Sequence, residues 1–309
     1  MRLEDFEYFL PQERIAQRPA SPRDSSKLMV LDRHGICNRR FYNLPDFLKR
    51  GDVLVINETK VIRARIRGRK STGACVELIL SEKINSTTFR CRVKTKNPHI
   101  GNSYLFSNRI SCKVIGHDDD IFTVRFNRTI SKTVLSRFFD LPTPPYVTER
   151  LKRDSEYQTV YSVKDGSLAA PTAGLHFTGR LLDRIRRKGV KLVRICLHVD
   201  FGTFIPVRGE IKKHRMHEEY FEISKGAADA INNRNGRLIA VGTTTVRALE
   251  SAAGNDGKVT WMRGRTGIFI YPGYAFRIKI DALITNFHLP RSTPVSYTHL
   301  RAHETVLDL

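Results

Sequence analysis

The fold is decided by one stretch of the chain, LIAVGTTTVRALE at residues 238–250. Its first four residues, Leu238–Val241, predict a buried strand, because short apolar runs bounded by turn residues are typical of strands. Gly242 permits a sharp turn, and a helix predicted over 244–253 follows at once. Because a strand that leads directly into a helix is the repeating unit of α/β proteins, the stretch predicts an α/β fold.

The same alternation of helix and strand continues on both sides of this stretch. Further helices are predicted at 179–188 and 224–233. Apolar strands are predicted at Lys27–Asp32, Asp52–Asn57, Lys191–Leu197, Gly267–Tyr271 and Ala282–Thr285. Helices that alternate with apolar strands favour a largely parallel sheet with helices on its faces.

The chain changes character between residues 66 and 126. Polar and apolar residues alternate in short pieces separated by Gly, Asn, Asp and Pro, which is typical of a small all-β barrel or sandwich. These pieces are Cys75–Leu80, Thr88–Val93, Ser111–Ile115 and Ile121–Phe126. We therefore expect an α/β protein whose largely parallel-sheet catalytic domain (1–65 and 150–293) carries an inserted small all-β barrel domain (66–149).

The composition narrows the class of protein. The chain has 309 residues, 40% of them hydrophobic, which is enough for one or two domains with real cores. Lys and Arg number 53 against 31 Asp and Glu, and this net charge of +22 favours nucleic acid as a partner; a merely solvated basic surface is the alternative. The chain has no apolar run long enough to span a membrane, and its acidic start is unlike a signal peptide. We expect a cytoplasmic protein with no membrane partner.

The sequence does not signal a metal site. Its five cysteines are scattered and never form a C-x-x-C pair, so neither a zinc ribbon nor a disulfide framework is indicated. His214 and His217 could share a helix face, but no third ligand is evident and Lys212, Lys213 and Arg215 crowd them with positive charge. We expect no metal.

Three histidines lie at corners where α/β proteins place their active sites. His176 is the second-last residue of the loop GSLAAPTAGLHF at 166–177, just before a helix that Thr178 caps. His198 and His288 each follow a predicted strand. One such histidine more often has a structural role, and the loop alone could be a surface turn. Three histidines at equivalent positions indicate candidate catalytic residues.

Several long motifs extend over almost the whole chain up to Thr293. They lie at 10–24, 51–65, 154–161, 166–177, 197–204, 214–218, 241–251, 268–274 and 282–293. Together they resemble the QueA family of S-adenosylmethionine:tRNA ribosyltransferase-isomerases, the enzymes of queuosine biosynthesis. Glu58, Lys60 and Arg63 depart from the family's usual Asp, Arg and Pro. Residues 294–309 look foreign to the family, and we expect such a tail to lower stability and activity.

The resemblance implies a specific reaction. A tRNA that carries 7-aminomethyl-7-deazaguanine at its wobble position receives the ribosyl part of S-adenosylmethionine, rearranged to an epoxycyclopentane, while adenine and methionine leave. The product is epoxyqueuosine-tRNA. S-adenosylmethionine is then a ribosyl-donating substrate, and the resemblance also implies a monomer.

This reaction needs a general base, help for the departing adenine and an oriented, dry pocket. His176, His198 and His288 are the candidate bases or acids. The start of a helix suits the methionine carboxylate, and the chemistry suggests polar side chains for ribose and adenine. The candidate cofactor-binding residues are Thr172, Thr243, Thr244, Arg247, Glu250, Tyr271 and Asn286.

The candidate tRNA-binding residues are basic and alternate along two segments, one at the entry to the inserted domain and one within the predicted barrel. Alternation places each series on one side of its strand, where it could face a polyanion; a solvated strand edge is the alternative. These residues are Arg63, Arg65, Arg67, Arg90, Arg92 and Lys94.

Two other functions remain open from the residues. An S-adenosylmethionine-dependent RNA methyltransferase would need a Gly-rich turn between its first strand and helix, and residues 27–35 offer none. A non-catalytic RNA-binding protein would explain the charge and the barrel but not the histidines at the corners. Release of free adenine from S-adenosylmethionine distinguishes ribosyl transfer from both.

Overall fold

The computed structural model describes residues 7–107, 109–200, 216–290 and 292. The chain forms two compact units: Met1–Lys60 with Pro144–Leu309, called here the α/β unit, and Val61–Thr143, called here the barrel unit. The tail at 294–309, the corner at 201–204 and part of the 214–218 motif lie outside the described residues. The insertion boundaries of 66 and 149 stay a prediction.

The secondary structure of the described residues includes sixteen strands, four α-helices and several short 3-10 helices. The helices are α1 (Lys132–Phe138), α2 (Gly179–Arg187), α3 (Lys225–Asn232) and α4 (Thr243–Ala252). The strands are β1 (Lys27–Asp32), β2 (Gly35–Arg40), β3 (Val53–Asn57), β4 (Thr59–Val61), β5 (Arg65–Lys70), β6 (Cys75–Lys83), β7 (Thr88–Lys94), β8 (Ser103–Ser107), β9 (Ile110–Asp118), β10 (Ile121–Phe126), β11 (Lys164–Ser167), β12 (Lys191–Leu197), β13 (Glu219–Ile223), β14 (Leu238–Val241), β15 (Met262–Thr266) and β16 (Ala282–Ile284).

The α/β unit is built on a six-stranded sheet in the order β15-β13-β12-β3-β14-β16. Strands β12, β3, β14 and β16 run parallel, whereas β13 and β15 add an antiparallel edge. All five residues of β3 are buried, as expected for a central strand that is covered on both faces. The carboxyl ends of the parallel strands therefore meet at one edge of the sheet.

The two faces of this sheet have separate apolar cores. Val53 and Val55 of β3 pack on one side, in the cluster that contains the buried residues of α3 and α4. Leu54 and Ile56 pack on the other side with the buried face of α2. The alternation of side chains along β3 thus supplies both cores, because successive residues of a strand point to opposite faces.

The barrel unit is a closed six-stranded antiparallel barrel in the order β10-β7-β6-β5-β8-β9. Its interior is filled by side chains such as Leu78, Cys91, Ile110 and Val124, all fully buried. After the barrel, Ser131 begins α1, and its hydroxyl accepts a hydrogen bond from the Val134 amide at 3.3 Å. The predicted fold class, an α/β protein with a small all-β barrel, is confirmed.

Two predicted strands differ from the structure. Residues 267–271 form no strand; the polar segment β15 just before them pairs with β13, and the apolar run contributes Ile270 to the core. Strand β1 exists but is not buried, because it forms a two-stranded hairpin with β2 whose residues are exposed or half-buried. The tight turn after β1 leads into strand β2 and not into a helix.

Asp52 joins the amino ends of the three central strands. Its carboxylate accepts hydrogen bonds from the Lys49 amide at 2.8 Å, the Arg237 amide at 3.0 Å and Arg237 Nη2 at 2.7 Å. Its backbone carbonyl accepts from the Lys191 amide at 2.8 Å. Burial raises the pKa of Asp52, but the hydrogen bonds from Arg237 and Lys49 outweigh burial, so the pKa lies below its usual value.

We predict that Asp52→Asn lowers the free energy of unfolding by about 1.5–3 kcal/mol at neutral pH, because a charged acceptor of several hydrogen bonds is lost. A carboxylate whose pKa is lower in the folded than in the unfolded protein stabilises the fold at pH values above its unfolded pKa. This stabilisation disappears as the pH falls through the folded pKa. The difference between parent and variant should therefore be full at neutral pH and shrink below about pH 4. Denaturant unfolding at several pH values measures it.

The matched control is Asp229→Asn. Asp229 pairs with Lys225 at 3.4 Å on the exposed side of α3, and such surface pairs contribute about 0.5 kcal/mol or less. Equal losses for the two variants, or a difference that does not depend on pH, would contradict the role given to Asp52.

Candidate active site

A cavity lies at the carboxyl ends of β14 and β16, within the α/β unit. Three segments supply most of its lining: 169–173, 242–244 and the residues Thr285, Asn286, His288 and Leu289. Tyr146, Val199 and Ser292 complete it. The edge of the sheet beyond the carboxyl ends of parallel strands is where α/β proteins bind ligands.

The start of α4 forms one wall of this cavity. Gly242 precedes the helix with a φ of 88°, a conformation that favours glycine, and its carbonyl accepts the first helical hydrogen bonds from the Thr245 and Val246 amides. Thr244 is 8% exposed, and its hydroxyl has no hydrogen-bond partner among the described residues. By contrast, the Thr245 hydroxyl donates to the Val241 carbonyl at 2.6 Å. Thr243 and Thr244 thus lie at a positive helix end that faces the cavity, and their role in binding stays a prediction.

His288 is the predicted histidine that lines the cavity. Its Nε2 lies 3.2 Å from the Thr285 hydroxyl, and its backbone carbonyl accepts a hydrogen bond from the Tyr8 hydroxyl. Burial lowers the pKa of His288 to about 4, because the charged imidazolium is poorly solvated there. His288 is therefore neutral at physiological pH.

His176 lies behind the cavity, at the end of a short 3-10 helix (Thr172–His176). Its Nδ1 lies 3.0 Å from the Ser26 hydroxyl, and its Nε2 lies 2.8 Å from Oδ1 of Asn286. Burial lowers the pKa of His176 most; the hydrogen bond to Asn286 opposes this, and the positive charge of Arg23 adds to it. The side chain does not line the cavity, whereas its partner Asn286 does.

His198 follows β12 but packs away from the cavity lining. Its Nδ1 lies 2.7 Å from the Thr59 hydroxyl, and its ring stacks on Tyr220 with centroids 5.5 Å apart. A Cβ at Gly166, where φ is 149°, would lie 2.6 Å from Nε2, so only glycine leaves room for this ring. Burial lowers the pKa of His198, as does the charge of Lys164, and Glu222 and Asp165 oppose them.

Three predicted cofactor-binding residues do not reach the cavity. The Arg247 guanidinium pairs with buried Glu219 and donates to the Ile268 carbonyl at 3.0 Å. Glu250 is fully buried; its carboxylate accepts from the Arg277 amide at 2.8 Å, from the Tyr274 hydroxyl at 3.2 Å and from the Ile278 amide at 3.3 Å. The ring of Tyr271 lies 5.9 Å from that of Phe269.

The reason for this difference is helix geometry. A helix rises about 1.5 Å per residue, so Arg247 and Glu250 lie one and two turns along α4 from the residues that line the cavity. The two side chains instead fix the segments that follow β15 and precede β16. Thr172 and Asn286, which belong to other segments, do line the cavity.

The predicted tRNA-binding residues lie in the barrel unit and fall into two groups. Arg67 and Lys94 are exposed and flank Glu77 of β6 in one cross-strand row, with Arg67 Nε 2.8 Å from the Glu77 carboxylate. The others are half-buried: Arg63 donates to the Phe139 carbonyl at 2.8 Å, Arg65 to the Thr143 hydroxyl at 3.0 Å, Arg90 lies 3.4 Å from Asp118, and Arg92 lies opposite Ile79.

The sequence offered no signal for Ser26 and Thr59, the partners of His176 and His198. Each lies about 140–150 positions away from its histidine. Among the described residues, no group of three His, Cys, Asp or Glu is arranged to hold a metal ion. None of the described helices is long and apolar enough to cross a membrane.

Comparison with known proteins identifies the family. The model of a family described as queuosine biosynthesis protein matches residues 3–304. A curated S-adenosylmethionine:tRNA ribosyltransferase-isomerase from Pelotomaculum thermopropionicum is 48% identical over 306 residues, covering 95% of this chain and 89% of that protein. One of the same name from Fusobacterium nucleatum subsp. nucleatum is 46% identical over 302 residues, covering 94% and 86%.

A solved structure agrees with these relatives. The crystal structure of an S-adenosylmethionine tRNA ribosyltransferase from Thermotoga maritima is similar to this chain with a TM-score of 0.52 and 31% identity, covering 98% of this chain and 92% of that one. Both the family match and the relatives extend over nearly the whole chain. The chain therefore belongs to the queuosine biosynthesis family, the S-adenosylmethionine:tRNA ribosyltransferase-isomerases, which are transferases.

Proposed function

We propose that this chain binds S-adenosylmethionine in the cavity beside α4 and transfers its ribosyl part, isomerised to an epoxycyclopentane, to 7-aminomethyl-7-deazaguanine at the wobble position of tRNA. Adenine and methionine leave. The observation that supports this site best is the buried Thr244 hydroxyl, which has no partner among the described residues at the helix end that faces the cavity. The direct test is to incubate the chain with tRNA bearing the modified base and with S-adenosylmethionine, and to measure free adenine.

The amino-terminal end of α4 suits the methionine carboxylate. The first amides of a helix lack intrahelical acceptors, and the helix dipole places partial positive charge there. A carboxylate would accept from these amides and from the Thr244 hydroxyl, which otherwise remains without a hydrogen bond at a cost of about 1–3 kcal/mol. Arg247 is already paired with Glu219, so in this proposal the backbone and hydroxyl groups, not a guanidinium, hold the carboxylate.

His288 is the proposed general base. The sulfonium of S-adenosylmethionine acidifies the C5′ hydrogens, so a neutral imidazole that lines the cavity can remove one. Burial lowers its pKa to about 4, which makes the neutral imidazole a weaker base but makes its protonated form a stronger acid that returns the proton readily. The departing adenine needs a proton, and the protonated His288 can donate the one that it removed from C5′. The Thr285 hydroxyl, 3.2 Å from Nε2, helps to orient the ring.

The barrel unit is the proposed tRNA contact. Basic side chains of β5 and β7 lie in two neighbouring rows across β6: the half-buried Arg65 and Arg92 flank Ile79, and the exposed Arg67 and Lys94 flank Glu77. A row of cations on one face attracts phosphates and releases counterions when RNA binds. The exposed Lys94 is the best placed of these for a phosphate.

We predict that Thr244→Val raises the KM for S-adenosylmethionine about tenfold, because one hydrogen bond to a charged group is lost. The rate of adenine release at saturating S-adenosylmethionine should change little. Thr245→Val is the matched control. It removes a hydroxyl from the same turn of α4, but this hydroxyl already donates to the Val241 carbonyl. Equal increases in KM for both variants would contradict a carboxylate site at Thr244.

We predict that His288→Asn lowers kcat for adenine release by at least about 100-fold, the smaller end of what general bases contribute. Because the pKa of His288 is about 4, its ionisation should leave the parent's kcat unchanged between about pH 5.5 and pH 7.5. His99→Asn, a change at an exposed histidine of the barrel unit, is the control. An acid limb near pH 6.5 that disappears in His288→Asn would contradict the neutral buried base.

We predict that changing Arg92 and Lys94 together to Ala weakens tRNA binding and reduces the slope of log affinity against log salt by about 1–2, because up to two phosphate contacts are lost. The control changes Lys113 and Arg125 to Ala. These lie opposite each other on β9 and β10, so the variant loses the same charge from another part of the barrel. Equal effects of the two variants on affinity and slope would indicate attraction by net charge and not a specific face.

A further inference from the structure

A hydrogen-bonded chain of three side chains leads from Ser26 through His176 to the cavity. Ser26 Oγ lies 3.0 Å from His176 Nδ1, and His176 Nε2 lies 2.8 Å from Asn286 Oδ1. Only Asn286, the last member, lines the cavity. Both ring nitrogens of His176 are thus engaged by protein groups, which differs from what a base acting on substrate needs.

With the Asn286 amide oriented as in the structure, the chemistry of the three groups sets the direction of both hydrogen bonds. Oδ1 of Asn286 carries no hydrogen, so His176 Nε2 must donate. A neutral imidazole has one N–H, so Nδ1 accepts from the Ser26 hydroxyl. Burial and the nearby charge of Arg23 both favour the neutral ring by lowering its pKa. The ring of Phe41, with its centroid 5.2 Å from that of His176, packs against the imidazole and limits its rotation.

This arrangement determines which end of the Asn286 amide meets the ligand. With Oδ1 bound to His176, the NH2 group is the end left for the cavity that Asn286 lines. An amide is otherwise free to turn by half a rotation and present its oxygen. The cavity is therefore offered two N–H donors at this point, which fit an acceptor atom of the nucleoside, such as a purine nitrogen or a ribose oxygen.

We propose that Ser26 and His176 are positioning residues that lock the Asn286 amide with its NH2 group toward an acceptor atom of the nucleoside part of S-adenosylmethionine. The inference rests on the proposed function for the identity of the ligand. It assigns His176 a role in substrate binding that acts through Asn286, in place of the catalytic role expected from the sequence.

A double-mutant cycle tests this assignment, with the KM for S-adenosylmethionine and kcat for adenine release as readouts. We expect Asn286→Ala to raise KM about tenfold and His176→Ala to raise it about three- to tenfold, with kcat within about threefold of the parent. The combined variant should match Asn286→Ala, because His176 has nothing left to position. If the KM increases of the two single variants multiply in the combined variant, the proposal is overturned. A kcat loss of about 100-fold for His176→Ala that also occurs in the Asn286→Ala background would likewise overturn it.

His176→Gln separates positioning from catalysis. The Gln amide keeps an N–H that can donate to Asn286 but cannot act as a base. We expect it to restore most of the KM lost in His176→Ala. Failure to restore KM in a variant whose melting temperature matches the parent would overturn the proposal.

The protonation of the ring is measured on the protein alone by ¹⁵N NMR of histidine-labelled chain. We expect His176 to be protonated at Nε2 and not at Nδ1 at neutral pH, and Ser26→Ala to disturb this state. Ser25→Ala, which removes the neighbouring hydroxyl that bonds to the Pro22 carbonyl at 2.7 Å, should not. Protonation at Nδ1 would overturn the proposal. A parent chain that releases no adenine would instead refute the proposed function, and the NMR result would still decide the state of the chain of hydrogen bonds.

Discussion

The structure of the α/β unit depends on how its central strand β3 is held at both ends. Asp52 binds the amino ends of β14 and β12 through the Arg237 and Lys191 amides. At the other end the fully buried Asn57 exchanges hydrogen bonds with Leu197 of β12, donating to its carbonyl at 2.9 Å and accepting from its amide at 3.0 Å. A buried amide or carboxylate is stable only when it is hydrogen-bonded, so these two residues set the register of β3 against its neighbours.

The candidate site follows from that register. Parallel strands aligned in this way bring their carboxyl ends together, which places the start of α4 beside the segment after β16. Burial then acts in the same direction on all three predicted histidines, whose pKa values all lie below the usual value. In the proposed function, a site lined by the neutral imidazole of His288 and by a positive helix end suits a cationic sulfonium that carries a carboxylate, because none of the described lining residues is a lysine or an arginine.

Local patterns in the sequence predicted most of the fold, whereas the roles of the candidate site residues stay predictions. The bounds of β10, β12 and β14 agree with the structure because each is a bounded apolar or alternating run. Polar edge strands such as β15 carry no such pattern, and its place was wrongly given to 267–271. The histidine corners and Thr244 were recognisable from strand-to-helix turns. The hydrogen-bond partners of His176 and His198 could not be predicted, because Ser26 and Thr59 come near them only through the tertiary fold. Sequence periodicity also does not show that Arg247 and Glu250 bond to neighbouring protein segments.

The two units differ in how far apart in the sequence their partners lie. In the barrel, β5 pairs with β6, β6 with β7, β8 with β9 and β9 with β10, so most contacts form between neighbours along the chain. In the α/β unit, Asn57 must find Leu197, and Ser26 must find His176. Chain segments that pair locally fold faster than those that close long loops, and synthesis proceeds from the amino terminus. During translation the barrel can therefore be complete while the apolar strand β3 is still unpaired, because its partner strands β12 and β14 have not yet been synthesised.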